Sequence, residues 1–141
     1  MSTRAIVAFT AGDGTWQGVW NHQASHPQNL GAWIIRKIAV YEGDIPAFAD
    51  RFITRSNGWS SMQDNEPYPA EDAGNRFSGT CSGETLRITA VPDAQLFYLL
   101  DLADRALRVY TLAPGELEPF TSCTFDAEGR ANPRRLEPMP E

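Results

Sequence analysis

Residues 15–41, TWQGVWNHQASHPQNLGAWIIRKIAVY, hold a strand pattern, a short polar elbow and a helix pattern in direct succession. Trp16 and His22 fall on the same face of the strand part, because strand side chains alternate between two faces. The elbow, residues 21–27, contains both histidines of the chain, His22 and His26. This order predicts that the histidines lie where a strand ends and a helix begins.

The elbow also carries the start signals of a helix. Ser25 can cap free backbone N–H groups, Gln28 three residues later completes a capping box, and Pro27 suits the first turn. Apolar residues follow at helical spacing, and Gly43 supplies a stop signal. We therefore expect a helix over about 27–42. Its N-terminus, with unpaired N–H groups and the positive end of the helix dipole, favours an anion or a carbonyl oxygen.

The segments on either side of this stretch predict a hairpin, a second helix and a long loop. The apolar run 4–9 and the glycine-rich turn 10–14 predict a hairpin with the strand at 15–22. Asp44 is expected to cap a shorter helix at 45–53. Residues 55–83 are polar and rich in glycine and proline, which is typical of a long irregular loop.

The C-terminal half alternates between apolar and polar residues and predicts an antiparallel meander. The fold class is therefore expected to be α+β: an antiparallel sheet of about six strands, built from the hairpin and the meander, with two helices packed on one face. We expect residues 1–128 to form a single domain and residues 129–141, with three prolines, to form a flexible tail. The meander strands are expected at 84–91, 95–101, 106–112 and 118–126.

Composition restricts the class of partner. A net charge of −6 argues against nucleic acid as a partner, because binding to the phosphate backbone needs a basic face. No apolar run approaches the roughly 20 residues that span a bilayer, and the N-terminus lacks a signal-peptide pattern, so we expect a cytoplasmic protein without a membrane partner. Cys81 and Cys123 are too few for a disulfide framework and are expected to be reduced.

One hypothesis places a hydrolase site at the elbow. His22 would be the general base, because imidazole titrates near neutral pH, and Asn21 would polarise a carbonyl together with the helix N–H groups. Ser2 could be the nucleophile if Met1 were removed, and Arg4 could hold a carboxylate. The alternative is that the histidines only satisfy hydrogen bonds of the turn. Whether the chain is an enzyme stays open at this point.

A second hypothesis is a binding protein for a small molecule or a protein partner. Tryptophan and arginine are frequent in recognition surfaces, and four tryptophans are many for this length. Trp33 is expected in the core, whereas Trp16 and Trp59, beside glycine-rich turns, are expected to be exposed. We favour binding over catalysis because the sequence supplies no complete catalytic set. The predicted ligand-binding residues are Arg4, Trp16, His26, Trp59 and Ser60.

A third hypothesis, a zinc site, is disfavoured. Two histidines and two cysteines are suitable ligand types, but the sequence has no Cys-x-x-Cys pair. The histidines are four residues apart, and Pro27 makes one continuous helix through both of them unfavourable. We expect no metal and no cofactor.

Several short motifs resemble a group of small bacterial and phage proteins that have no assigned activity. The matching residues are Met1-Ser2-Thr3-Arg4, Asn21-His22, Ser25-His26-Pro27 and Leu30-Gly31. The resemblance implies a phage-related or defence-related setting. Many members carry an acidic residue two positions after the histidine, where this chain has Ala24. A weaker resemblance links the N-terminal hairpin to the N-terminal-nucleophile hydrolases.

Overall fold

The computed structural model describes residues 3–68, 75–82, 85–88, 94–113 and 116–139. These residues form ten strands in one sheet and two short helices, so the α+β class is confirmed. Their order along the chain is β1 (Ala5–Thr10), β2 (Thr15–Asn21), α1 (Ala32–Val40), α2 (Ile45–Ala49), β3 (Trp59–Ser61), β4 (Glu66–Pro67), β5 (Arg76–Ser82), β6 (Thr85–Ile88), β7 (Leu96–Asp101), β8 (Ala106–Ala113), β9 (Glu116–Phe125) and β10 (Ala131–Asn132).

The sheet is mixed, and the prediction of about six antiparallel strands is wrong. The main strand order is β10-β9-β8-β7-β1-β2-β3-β4, and β5 joins the outer edge of β2 and carries β6. The predicted hairpin β1–β2 is antiparallel, whereas β1–β7 and β2–β3 are parallel pairs. The expected four-strand meander is limited to β7–β9, because β6 pairs with β5. The expected loop 55–83 contains β3, β4 and β5.

Both helices lie where the sequence predicts them. A π-helical turn, Pro27–Gly31, leads into α1, and a second π-helical turn, Asp50–Thr54, continues α2. The Asp44 side chain accepts a hydrogen bond from the Ala47 N–H at 3.0 Å and caps α2 as predicted. The capping role expected of Ser25 is wrong, because His26 is the N-cap residue and makes no side-chain cap bond.

The sheet has a hydrophobic core on each face. On one face, both helices cover alternate residues of β1 and β7, such as Val7 and Tyr98; we call this the helix face. On the other face, the second face, Ile6 and Phe97 pack around Trp16. The Trp16 and Phe97 rings meet edge to face with centroids 5.0 Å apart. Because β1 and β7 are buried on both faces, they form the centre of the sheet.

Cys123 lies in the core of the helix face, and burial raises the pKa of its thiol from 9.0 to about 11. We expect the free energy of unfolding to fall as the pH rises from 9 to 11, because the thiol ionises in the unfolded chain while it stays protonated in the fold. The full effect is about 3 kcal/mol. Burial also raises the pKa of Tyr98, which acts in the same direction above pH 10.

Urea unfolding between pH 8 and 11 measures this loss of stability. Cys123→Ala should flatten the dependence on pH, whereas Cys81→Ala, outside this core, should keep the wild-type slope. Equal slopes for the wild type and Cys123→Ala would contradict the assignment.

The segment expected to be a flexible tail, 129–141, is described as far as Met139. It contains β10, and the Leu136 side chain is buried in the core of the helix face. The Met139 N–H donates to the Gln28 side chain at 3.3 Å. Among the described residues, no helix is long and apolar enough to cross a membrane.

Candidate functional site

The elbow is organised by Asn21, whose side chain is completely buried at the end of β2. Its Nδ2 donates to the Gln23 carbonyl at 2.9 Å and to Ser25 Oγ at 2.8 Å. Its Oδ1 accepts from the Met62 N–H at 2.7 Å. Tyr98 OH donates to the Ser25 carbonyl at 2.5 Å. All hydrogen-bonding atoms of Asn21 are thus used within the fold, which leaves this side chain no group to polarise a substrate.

The elbow is hydrogen-bonded to the segment 59–65, which lies within the predicted loop 55–83. The His22 N–H donates to the Trp59 carbonyl and the Gln23 N–H to the Ser60 carbonyl, both at 3.0 Å. The Gln63 Nε2 donates to the Ala24 carbonyl at 2.8 Å. Ala24 has a φ of 55°, a left-handed backbone conformation that costs energy for a residue other than glycine. The elbow is therefore a positioning element that fixes segment 59–65.

The two histidines make different contacts. Trp20 Nε1 donates to His22 Nδ1 at 3.4 Å, and the two rings pack with centroids 6.5 Å apart. His26 Nε2 lies 2.6 Å from Thr3 Oγ1, and its Nδ1 is buried without a partner among the described residues. Neither histidine lines either of the two clefts described below.

The other predicted site residues are spread over the molecule. Trp16 is 1% exposed in the core of the second face, and Trp59 is 4% exposed against Phe52 on the helix face, so the expected exposure of both tryptophans is wrong. Trp59 Nε1 donates to the Phe52 carbonyl at 2.8 Å. Arg4 lies beside Gln95, whose side chain accepts from the Arg4 N–H. Ser2 lies outside the described residues.

A cleft of about 370 Å³ adjoins segment 59–65, and we call it the aromatic cleft. Residues 62, 63 and 65 form one wall, which the elbow holds through Met62 and Gln63. The opposite wall consists of Trp33 and Lys37 of α1, Tyr41 directly after α1, and Arg51 and Phe52.

The aromatic cleft contains cations above aromatic rings. Lys37 Nζ lies 5.9 Å from the centroid of Trp33, and Arg51 Cζ lies 5.3 Å from that of Phe52. Both distances are within cation–π range. The described lining contains two cations and no carboxylate, in a protein whose net charge is −6. This cleft is therefore a local basic site.

One wall atom of the aromatic cleft lacks a partner. The bond from Gln63 Nε2 to the Ala24 carbonyl identifies which end of the amide is the oxygen. That oxygen, Oε1, is buried and has no hydrogen-bond partner among the described residues. Because a buried acceptor without a donor is unfavourable, this oxygen makes the wall less stable than a fully hydrogen-bonded wall would be.

Sequence reasoning missed the aromatic cleft, although its helix wall leaves a signal. Trp33, Lys37 and Tyr41 follow one another at intervals of four residues and therefore lie along one face of the helix. Two of these three residues, Lys37 and Tyr41, carry a charged or polar group, which is unusual for a face that packs only against a core.

A larger cleft of about 780 Å³ lies elsewhere, and we call it the strand-end cleft. It is lined by Thr10 at the end of β1, Asp101 at the end of β7, and Arg108 and Tyr110 of β8. Residues 119–122 of β9 form a further wall. Burial raises the pKa of Tyr110 above its ordinary value of 10.0.

The residues considered for zinc do not assemble among the described parts of the chain. Cys81 lines the strand-end cleft, whereas Cys123 is buried in the core of the helix face. No group of three or more histidine, cysteine or carboxylate side chains that could hold a metal ion is found in the described residues.

Comparisons with known proteins give no information about the function of this chain. No protein-family profile, curated protein or solved structure matches this chain. The resemblance to small bacterial and phage proteins therefore stays a prediction.

Proposed function

We propose that this chain is a small cytoplasmic binding protein whose ligand lies in the aromatic cleft beside the elbow. The ligand class is a planar aromatic anion. A phage-related or defence-related setting belongs to the same proposal and rests on the motif resemblance alone. The observation that carries the ligand class is the pair of cations above the rings of Trp33 and Phe52.

Three properties of the aromatic cleft support this ligand. Lys37 and Arg51 supply positive charge without a competing carboxylate in the described lining, so an anionic group is favoured. Trp33 and Tyr41, which are partly exposed, supply aromatic surface for a flat ring. A volume of about 370 Å³ lies in the range of small-molecule sites.

We expect indole-3-carboxylate to bind more tightly than indole-3-carboxamide, its neutral counterpart of nearly the same shape. Lys37→Met and Arg51→Gln should each weaken binding of the carboxylate by about fivefold, which corresponds to about 1 kcal/mol for one partly exposed charge contact. The same substitutions should leave binding of the carboxamide unchanged. Isothermal titration calorimetry at low ionic strength measures all of these affinities.

Arg55→Gln is the matched control for Arg51→Gln. Arg55 follows the same helical segment, is highly exposed and pairs with Asp50 at 2.9 Å, but it does not line the aromatic cleft. Its substitution should leave the affinity for indole-3-carboxylate unchanged. Equal affinity for the carboxylate and the carboxamide, or equal losses from Arg51→Gln and Arg55→Gln, would refute an anion site in this cleft.

The hydrolase alternative receives less support from the elbow. A general base needs an imidazole nitrogen with a free lone pair that faces the substrate. The Trp20 N–H points at His22 Nδ1, so a neutral His22 carries its proton on Nε2 and its lone pair is occupied. Asn21 is used fully within the fold. Binding without chemistry therefore remains the function that we propose.

A further inference from the structure

The strand-end cleft lies where two parallel strands finish side by side. Thr10 of β1 is in register with Asp101 of β7, and the turn that contains Gly12 and Gly14 forms part of the rim. Crevices at the carboxyl ends of parallel strands are common ligand sites, because the strand ends bring side chains from separate segments together. At about 780 Å³, the strand-end cleft has room for a ligand of disaccharide size.

The charges in this cleft are arranged as a fixed fork. Arg108 Nη1 lies 2.7 Å from Asp101 Oδ2, and Arg108 Nη2 lies 2.6 Å from Asp104 Oδ2. The Asp101 Oδ1 also accepts from the Asp104 N–H at 3.2 Å, which holds the two acids together. A guanidinium has five N–H donors, so donors remain after these two contacts, and the carboxylates keep free lone pairs.

This fork suits hydroxyl groups better than a charged ligand. Two carboxylates against one guanidinium give the described lining a net charge of −1, and Arg108 is already neutralised, so an anion is disfavoured. A pair of neighbouring hydroxyl groups can accept from the guanidinium and donate to a carboxylate at the same time. Neutral polyols therefore match the donors and acceptors that this fork offers.

The rest of the strand-end cleft is lined by both hydroxyl groups and aromatic rings. Hydroxyl groups come from Thr10, Tyr110 and Ser122 on three different strands. Phe120 and Tyr110 contribute aromatic lining, against which the C–H groups of a sugar ring can pack. A lining that contains both apolar and hydroxyl groups is complementary to a ligand that has both C–H and O–H groups on its surface.

From this combination we infer that the strand-end cleft is a second binding site, for a neutral carbohydrate of one or two sugar units. The inference is independent of the ligand proposed for the aromatic cleft, because the two clefts share no lining residue. The Asp101–Arg108–Asp104 fork would bind neighbouring hydroxyl groups, and Tyr110 would contact the ring.

Backbone NMR shifts of the intact chain can test this site with maltose, cellobiose and lactose as probes. We expect at least one disaccharide to shift the resonances of residues 99–110 and 119–122. Arg108→Met should weaken its binding by about tenfold, as expected when charge-assisted hydrogen bonds are removed. Asp104→Ala is the second variant, because Asp104 is 63% exposed and its loss leaves the Asp101–Arg108 pair in place. It should also weaken binding.

Glu128→Gln, an exposed acid outside both clefts, is the control and should keep wild-type affinity for the sugar. Spermidine, a cation, and inorganic phosphate, an anion, test whether a charged ligand binds to the strand-end cleft instead of a neutral sugar. The assignment is overturned if none of the three disaccharides shifts these resonances. It is overturned equally if spermidine or phosphate binds there more tightly than every sugar, or if Asp104→Ala binds the sugar like the wild type.

Discussion

Gly43→Ala is expected to lower the free energy of unfolding by about 3–5 kcal/mol. Gly43 ends the first helical segment with a φ of +81°, where an alanine costs about 1–2 kcal/mol by itself. The added Cβ would also lie 2.6 Å from the Ala127 carbonyl oxygen and 2.7 Å from the Gly129 nitrogen. Both contacts are to backbone, which cannot turn away as a flexible side chain can.

The expected consequence extends to the C-terminal segment, because Gly43 and Gly129 pack directly against each other. Arg105 Nη2 donates to the Gly43 carbonyl at 3.1 Å and to the Asp126 carbonyl at 2.6 Å, so it ties the two turns together. A shift at Gly43 should therefore expose amides of residues 126–131. Urea unfolding gives the stability change, and hydrogen exchange of these amides gives its location.

Gly14→Ala separates the two causes of this loss. Gly14 has a φ of +90°, but its added Cβ would meet only the Cys81 carbonyl oxygen, at an ordinary 3.6 Å. It should therefore show the conformational cost alone, about 1 kcal/mol. If both substitutions cost the same, the close approach of Gly43 to residues 127–129 does not contribute to stability.

Local patterns in the sequence predicted the elements that depend on local physics. Asp44 at the start of a helix and Gly43 at the end of another act through backbone groups within a few residues of themselves. The hairpin β1–β2 depends on the short turn between its strands, which is also local. The helices and this hairpin could therefore be predicted without any knowledge of the remaining chain.

Strand pairing between distant segments was not predictable in the same way. The buried run of β7 pairs in parallel with β1, more than 80 positions earlier, and a run of apolar residues does not specify which neighbour it takes. Strand β5, which lies between β2 and β6, has Phe77 as its one large aromatic residue among mostly polar ones, so its sequence resembles a loop. Its partner, β2, supplies the pairing that its own sequence does not signal.

The contacts of the candidate site could not be predicted from the sequence. The elbow and segment 59–65 meet through backbone hydrogen bonds, which a sequence pattern does not specify. The role of Asn21 was hidden, because only the fold shows that Met62 supplies the donor for its Oδ1. The aromatic cleft is formed by α1, residues 51–52 and segment 59–65 together, and no local sequence pattern predicts how these three segments meet.

Asn21→Ala is the variant that should affect stability and ligand binding together. It removes three hydrogen bonds and leaves the buried Met62 N–H without its acceptor, so we expect a loss of about 3 kcal/mol in the free energy of unfolding. Since the same contact positions the wall that contains Met62 and Gln63, the affinity for indole-3-carboxylate should fall at temperatures where the variant remains folded. Thermal unfolding and calorimetric titration measure the two effects separately.

Gln23→Ala tests whether the link between stability and ligand affinity depends on Asn21 itself or on any side chain of the elbow. Gln23 is exposed, and its side chain makes only a long contact, 3.4 Å, to Ser60 Oγ. Its loss should change stability by less than about 0.5 kcal/mol and leave binding unaffected. If Asn21→Ala reduced stability but bound the carboxylate like the wild type, the elbow would stabilise the fold without shaping the aromatic cleft. A parallel loss of both properties, absent in Gln23→Ala, identifies Asn21 as the residue through which the elbow positions the ligand site.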